Sequence, residues 1–207
     1  MAVLFSLLIG YLLGSVSFAQ LFARQRSVDL RASGTGNLGG TNAILTMGRR
    51  IGITVMLLDI FKGFLAVLVA KACFPLHALA GLLSGAAAVF GHVFPFYLKF
   101  RGGKGHATLI GAGLALRPAE LFLMAICSFS IALLLNYGCL FSMANALLFP
   151  VLILVVSDNP WAALIAALPG LLVFFKHFDN IAKIRAGQEN PLRPNLKKFF
   201  SRNNKNG

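Results

Sequence analysis

The stretch that decides the fold is residues 121–157, which read LFLMAICSFSIALLLNYGCLFSMANALLFPVLILVVS and carry no charged side chain. As a single α-helix this stretch would extend about 55 Å, whereas the hydrocarbon core of a bilayer is only about 30 Å thick. Two spans fit that length. Helix-breaking chemistry is concentrated at Asn136, Tyr137 and Gly138, so the sequence predicts a turn there between two membrane-spanning helices.

Other apolar stretches surround this pair of spans. Four are long enough to be transmembrane helices, at residues 1–23, 51–70, 76–98 and 159–175. The first has no basic segment ahead of its apolar run, so we interpret it as a retained helix and not as a cleaved signal peptide. A shorter stretch at residues 105–116 is compatible with a short span or with a re-entrant segment.

The composition of the whole chain also favours a membrane protein. Of its 207 residues, 57% are hydrophobic and 12% are charged, whereas about a quarter of the residues of a soluble domain are charged. The 19 Lys and Arg outnumber the 6 Asp and Glu, which gives a formal net charge of +13. A charge of this size often indicates nucleic-acid binding, but in an apolar chain it more often marks the cytoplasmic side of a membrane.

Three polar segments interrupt the apolar chain, at residues 24–50, 99–106 and 176–207. If residues 105–116 cross the membrane, these segments lie on one side together and contain 16 of the 19 Lys and Arg. This bias predicts an all-α, polytopic integral membrane protein with about seven transmembrane helices, its N-terminus outside and its C-terminus in the cytoplasm. Without that crossing, the basic tail would lie outside.

Domain organisation and the absence of common motifs narrow the possibilities further. We expect one transmembrane domain over residues 1–190 and a basic cytoplasmic tail over residues 191–207. The sequence has no GxSxG, HExxH or CxxC motif, which disfavours common serine hydrolases and zinc enzymes. Cys73, Cys127 and Cys139 lack the spacing of metal ligands, so neither a metal site nor a cofactor is expected.

The first polar segment contains the run SGTGNLGGTN at residues 33–42. Glycines let successive backbone N–H groups turn toward one point and form an anion-binding nest. Hydroxyls and amides add neutral donors, so the candidate substrate-binding residues are Thr35, Asn37, Thr41 and Asn42. A flexible loop between helices is the alternative interpretation.

The second polar segment contains KFRGGKGH at residues 99–106. It is not a Walker loop, because no Ser or Thr follows its lysine directly. Its glycines and one ammonium can still meet a phosphate, and the N-terminus of the following helix would add partial positive charge. The candidate residues here are Gly102, Gly103, Lys104 and Gly105. The alternative is a basic loop that contacts lipid headgroups.

The third polar segment begins with a histidine and an amide three residues apart, His177 and Asn180. On a helix leaving the last span, residues at this spacing share a face. A histidine can accept a proton and an amide can stabilise an oxyanion, so the pair is a candidate catalytic site. A simple interfacial histidine is the alternative.

A charged pair, Asp59 and Lys62, lies inside the second long span. Ionisable side chains in hydrocarbon are costly and are usually paired or functional. We interpret this pair as structural, with each charge neutralising the other, and a functional role is the alternative.

Five motifs in this chain resemble those of a known family. They are GSVSF at residues 14–18, GTGNLGGTN at 34–42, LDIFKG at 58–63, GHVFPFYLKFRGGKGHAT at 91–108 and KHFDNIAKIRAGQE at 176–189. In this order they resemble the bacterial acyl-phosphate:glycerol-3-phosphate acyltransferase family. The resemblance implies a multi-pass enzyme of the bacterial inner membrane with its active site on the cytoplasmic side. It also implies transfer of a fatty acyl group from acyl phosphate to glycerol 3-phosphate, giving lysophosphatidic acid in the first acylation step of phospholipid synthesis.

The resemblance implies roles for individual residues. The glycines and Lys104 of the GGKG motif would bind glycerol 3-phosphate. His177 and Asn180 would be needed for turnover, and Glu189 for structural integrity. The implied partners are the two substrates, the bilayer and a soluble enzyme that produces acyl phosphate.

Two positions depart from the family pattern. Thr35 stands where the family usually has serine, and it keeps a hydroxyl. Leu45 stands where the family has an activity-linked arginine. If the segment is helical, Arg49 lies one turn further on the same face, and we expect it to contact substrate in place of the missing arginine.

The resemblance also suggests a mechanism. Acyl phosphate is a mixed anhydride with a good leaving group, so positioning and charge stabilisation suffice without a covalent acyl-enzyme. The hydroxyl of glycerol 3-phosphate would attack the acyl carbon directly, and either His177 or the substrate's own phosphate would accept its proton. The alternative functions are a diverged family member with weak activity and a membrane carrier for a phosphorylated solute.

Overall fold

The structure is a computed structural model that describes residues 1–157 and 159–194. The described part is helical. Its α-helices are α1 Ala2–Ser15, α2 Phe18–Gln25, α3 Gly40–Met47, α4 Arg49–Cys73, α5 Ala80–Val93, α6 His106–Leu116, α7 Pro118–Leu135, α8 Gly138–Ser157, α9 Pro160–Phe175 and α10 Phe178–Arg185. A short 3-10 helix covers Phe96–Leu98.

Six segments of the described chain are long and apolar enough to cross a membrane, and the shorter apolar helix α6 lies between the third and the fourth of them. Many large apolar side chains on these segments point outward; Leu134 and Val155, for example, are each 75% exposed. Such side chains suit contact with lipid. The structure thus confirms an all-helical membrane fold with about six long spans.

The predicted turn in the uncharged stretch is confirmed. Helix α7 ends at Leu135 and α8 begins at Gly138. Asn136 between them adopts a left-handed conformation with φ 64°, which asparagine tolerates better than most residues. The tail packs onto this turn, since the backbone N–H groups of Leu192 and Arg193 donate to the Asn136 backbone and side-chain oxygens at 2.7 and 2.8 Å.

The first predicted helix is one membrane segment built from two helices. The chain leaves the α-helix at Val16, and α2 restarts after Ser17. The carbonyl oxygens freed by the break find distant donors: the Tyr97 hydroxyl lies 2.9 Å from the Ser15 oxygen, and the Lys62 ammonium lies 2.7 Å from the Val16 oxygen. These bonds satisfy polar backbone groups that would be costly to bury unpaired.

Small residues allow the helices to approach closely. A Cβ at Gly14 of α1 would overlap the carbonyl of Ala88 in α5, and one at Gly111 of α6 would overlap the carbonyl of Ile60 in α4. Packing through small residues is a common way for membrane helices to associate. A larger core cluster, which includes Leu109, lies among α5 to α9.

Helix α6 connects opposite ends of the bundle. It begins directly after the GGKG motif at residues 102–105 and ends at Leu116. The guanidinium of the following residue, Arg117, donates to the Val156 carbonyl at 3.0 Å, near the far end of α8. The near end of α8 begins at Gly138, where the tail is bound. The chain therefore reaches the other end of the bundle through α6.

Candidate active site

The three predicted polar segments meet at one end of the bundle. The Arg31 guanidinium of the first segment donates to the carbonyls of Leu98 and Arg101, at 3.3 and 2.8 Å. The Lys104 ammonium of the second segment donates to the side-chain oxygen of Asn180 in the third. Residues far apart in the sequence are thus brought together as predicted.

A chain of hydrogen bonds runs through the centre of this end. Asn180 accepts from Lys104 through Oδ1 and donates from Nδ2 to the Glu189 carboxylate at 2.9 Å. Burial lowers the pKa of the Lys104 ammonium below that of an ordinary lysine, while the carboxylates of Asp179 and Glu189 oppose that shift. This contact holds the Asn180 amide in one orientation, and a structural role for Glu189 stays a prediction.

His177 lies beside this chain at the junction between α9 and α10. Its side chain is buried, and its Nδ1 lies 2.7 Å from the carbonyl oxygen of Val173. Because a carbonyl oxygen only accepts, we assign the hydrogen to Nδ1, which leaves Nε2 of the neutral ring as a proton acceptor. Residues 176 and 177 form a turn between α9 and α10, and His177 is the N-cap residue of α10. The Asn180 backbone N–H donates to the His177 carbonyl at 3.0 Å, so the two residues lie in the first turn of that helix. Both lie close to Lys104.

The GGKG loop at residues 102–105 differs from the predicted phosphate site in two of its glycines. The backbone N–H groups of Gly102 and Gly103 donate to the carbonyls of Val93 and His92, at 2.9 and 3.1 Å. These N–H groups secure the loop to the end of α5 and are not directed at a ligand. Gly105 adopts φ 88° and precedes α6, which no side chain caps within the described part of the protein. The first N–H groups of a helix lack intrahelical partners, so the α6 N-terminus is the donor group left for an anion here.

In the first segment, Asn42 holds the loop together. Its side chain is fully buried; Oδ1 accepts from the Thr35 N–H at 2.7 Å, and Nδ2 donates to the carbonyls of Leu30 and Ser33, at 2.8 and 3.1 Å. Thr35 and Thr41 are exposed, and Asn37 is half-buried. Their side chains are therefore accessible, whereas the Asn42 amide is engaged inside the loop.

The expected relation between Leu45 and Arg49 is corrected by the structure. Helix α3 ends at Met47, and Gly48 takes φ 92° before α4 begins at Arg49. Because the helix is interrupted, Arg49 does not lie one turn beyond Leu45 on a shared face. The Leu45 side chain is 59% exposed.

The charged pair inside the second long span has a third member that was not predicted from the sequence. The Lys62 ammonium lies 2.8 Å from the Asp59 carboxylate, as the structural interpretation requires, and 2.8 Å from Nδ1 of His92. All three side chains are buried. A Cβ at Gly103 would overlap Nε2 of His92, so the buried cluster packs directly against the GGKG loop. The sequence feature that could have indicated His92 is a polar residue near the end of an apolar span.

These features define a class: a polytopic helical membrane protein in which a lysine, an amide and a helix N-terminus without a side-chain cap among the described residues lie together at one end. Comparison with known proteins supports this class. A family model described as glycerol-3-phosphate acyltransferase matches residues 4–187. The glycerol-3-phosphate acyltransferase of Allorhizobium ampelinum is 38% identical over 92% of this chain and 92% of its own, and that of Aquifex aeolicus is 35% identical over 91% and 98%.

Solved structures agree as well. The crystal structure of PlsY (YgiH), an integral membrane glycerol 3-phosphate acyltransferase, in its glycerol 3-phosphate form superposes with a TM-score of 0.83 at 32% identity. It matches over 92% of this chain and 96% of its own. The lysophosphatidic acid form gives a TM-score of 0.80 at 31% identity, over 92% and 95%. This chain belongs to the glycerol-3-phosphate acyltransferase family, and it is a membrane acyltransferase.

Proposed function

We propose that this enzyme transfers a fatty acyl group from acyl phosphate to glycerol 3-phosphate, giving lysophosphatidic acid and inorganic phosphate. The observation that carries the proposal is the hydrogen-bonded chain Lys104–Asn180–Glu189 beside the α6 N-terminus. This arrangement offers an ammonium and backbone donors to a phosphate. Structures of the PlsY relative with glycerol 3-phosphate and with lysophosphatidic acid support the same substrate and product.

The acceptor's phosphate binds to the Lys104 ammonium and to the N–H groups at the start of α6. The exposed hydroxyls of Thr35 and Thr41 contribute neutral donors from the neighbouring loop. Gly102 and Gly103 act indirectly, because their N–H groups secure the loop that carries Lys104. Asn42 likewise positions Thr35, since it accepts from the Thr35 backbone.

Transfer proceeds in one displacement. The acceptor hydroxyl oxygen bonds to the acyl carbon, the bond from that carbon to the phosphate oxygen breaks, and inorganic phosphate leaves with the electron pair. Nε2 of His177 or the substrate's own phosphate takes the hydroxyl proton. One Asn180 amide hydrogen is bound by Glu189, and the other is available for the developing oxyanion.

The acyl chain lies in a lipid-facing groove between α7 and α8. This apolar groove has a volume of about 290 Å³ and is lined by Phe122, Ala125, Ile126, Phe129, Ser130 and Phe141. Phe141 is near the start of α8, at the same end of the bundle as the polar site. A chain held there would have its tail in the membrane and its reactive end near Lys104.

The proposed topology has seven crossings, with the N-terminus outside and the site on the cytoplasmic side of a bacterial inner membrane. The bond between Arg117 and Val156 supports α6 as the seventh crossing, because it links the far ends of α6 and α8. The basic bias of the three polar segments supports the orientation. A domain boundary at residue 190 stays a prediction. The basic residues Lys197, Lys198, Arg202 and Lys205 lie outside the described residues.

An assay of phosphate release tests the proposal. The full-length protein, purified into a lipid mesophase, receives acyl phosphate and glycerol 3-phosphate, and the wild-type protein should release phosphate and form lysophosphatidic acid. Acyl-CoA in place of acyl phosphate tests the donor. Release at a trace rate with intact binding would favour a diverged member, and accumulation of glycerol 3-phosphate inside vesicles without release would favour a carrier. A soluble enzyme that produces acyl phosphate is the partner that this donor requires.

A further inference from the structure

The first residue of α6, His106, has a buried ring nitrogen that no described residue bonds. Its Nε2 is buried without a hydrogen-bond partner. His106 directly follows Gly105, where α6 begins, and lies close enough to His177 to interact with it electrostatically. A buried polar atom without a partner is costly, so its retention indicates a ligand that completes the hydrogen bond.

The ring of His106 also touches the groove proposed for the acyl chain. It meets Phe141 edge to face, with 5.1 Å between ring centroids, and Phe141 meets Phe129 in the same way at 6.1 Å. Both phenylalanines line the groove. His106 therefore lies where the apolar groove ends and the polar site begins, between Phe141 and His177.

The group at that junction in a bound acyl phosphate is the acyl carbonyl, because it joins the hydrocarbon chain to the phosphate. We propose that Nε2–H of neutral His106 donates a hydrogen bond to this carbonyl oxygen and stabilises the negative charge that develops on it during transfer. His106 is then a catalytic residue that acts together with the Asn180 amide. This inference rests on the proposed function, which supplies the substrate.

A packing role for the ring is the competing explanation, and three substitutions separate it from donation. His106→Phe keeps an aromatic ring against Phe141 but removes the donor. His106→Gln places an amide donor near the position of Nε2, whereas His106→Asn places one near the position of Nδ1. Glutamine should therefore restore activity that asparagine does not.

The test measures kcat and the KM for glycerol 3-phosphate with the full-length protein in a lipid mesophase. We expect His106→Phe to lower kcat about 100-fold, the size typical of losing one oxyanion donor, and to leave the KM within about twofold. His106→Gln should exceed His106→Asn in kcat by about tenfold. Melting temperatures of all variants show whether each is folded.

Two results would overturn the inference. An active wild type whose His106→Phe variant keeps its kcat would show that the ring only packs. Equal rates for His106→Gln and His106→Asn would show the same even if the phenylalanine variant failed to fold. A wild type without any turnover would instead reject the proposed function, and this inference with it.

Discussion

Two lysines of this protein lie near carboxylates, and their surroundings differ. Lys62 forms an ion pair with the Asp59 carboxylate and hydrogen bonds with Nδ1 of His92 and the Val16 carbonyl. These three partners match the three donors of an ammonium, and the side chain is buried. Lys104 is half-buried, and the one side-chain hydrogen bond that it makes to described residues goes to Asn180.

The comparison distinguishes a structural lysine from a binding one. A saturated ammonium has no donor for a ligand, so Lys62 stabilises the break between α1 and α2. An ammonium with donors left over, next to a helix N-terminus without a side-chain cap among the described residues, can bind a phosphate. In Lys104, an amide separates the ammonium from the Glu189 carboxylate, so a substrate phosphate does not have to displace a direct ion pair.

The largest effect is expected at Lys104. Lys104→Met removes the charge that binds the acceptor's phosphate while it keeps the length of the side chain. We expect phosphate release to fall about 1,000-fold, because charge-assisted contacts to a reacting phosphate are among the strongest in a site. The melting temperature should stay close to that of the wild type. Turnover within tenfold of the wild type would contradict a binding role for Lys104.

The matched substitution at Lys62 should act on stability instead. Lys62→Met leaves the Asp59 carboxylate buried without its ammonium partner, which costs about 3–5 kcal/mol. We expect a lower yield of monodisperse protein and a lower melting temperature in detergent. The double variant Asp59→Asn with Lys62→Met removes both charges and should recover part of the loss. A fully stable single variant would show that the pair does not hold the fold.

A substitution at His177 tests proton transfer within the site. His177→Ala should lower kcat about 100-fold or more if Nε2 accepts the hydroxyl proton, while the KM for glycerol 3-phosphate changes little. The contact between Nδ1 and the Val173 carbonyl supports this role, because it leaves Nε2 as the proton acceptor. An unchanged kcat would assign the proton to the substrate's own phosphate.

The pH dependence of binding should also reflect the difference between an ordinary lysine and Lys104. Burial lowers the pKa of Lys104, so its positive charge is complete at low pH and is lost on raising the pH through a value below that of an ordinary lysine. The KM for glycerol 3-phosphate should therefore rise at alkaline pH. In Lys104→Arg the charge persists to higher pH, and the rise should move upward or vanish. The same alkaline rise in both proteins would contradict this assignment.

The smallest effect is expected at Cys139, which lies close to Lys104 and Glu189. Direct transfer needs no thiol nucleophile, so Cys139→Ala should keep kcat within about twofold. Mass spectrometry of the wild type mixed with acyl phosphate alone should detect no acyl-enzyme. A stable acyl adduct on Cys139 would replace direct transfer with a two-step mechanism.

The features that the sequence predicted well are those with local causes. The turn at Asn136 and Gly138 follows from residues that break helices by themselves. The break at Val16 was not predicted, because Lys62 and Tyr97 stabilise it from other helices. Patterns of length and charge predict features that have local causes. They do not predict features that depend on contacts with other helices.

The predictions for the site divide in the same way, into those with local causes and those that depend on tertiary contacts. The roles predicted for Lys104, His177 and Asn180 come from residue types in polar segments and from the family resemblance, and they stay predictions. The role of Gly102 as an anion donor was mispredicted, because its N–H binds a carbonyl at the end of α5. The helical relation proposed for Arg49 failed because Gly48 interrupts the helix. Both errors concern tertiary geometry, which residue spacing does not contain.

Calorimetry of glycerol 3-phosphate binding to the wild type and to Lys104→Met tests whether the incompletely paired lysine is the phosphate site. We expect saturable binding to the wild type and a loss of affinity of at least tenfold in the variant, with both proteins equally folded. Equal affinity in the two proteins would contradict a phosphate site at Lys104.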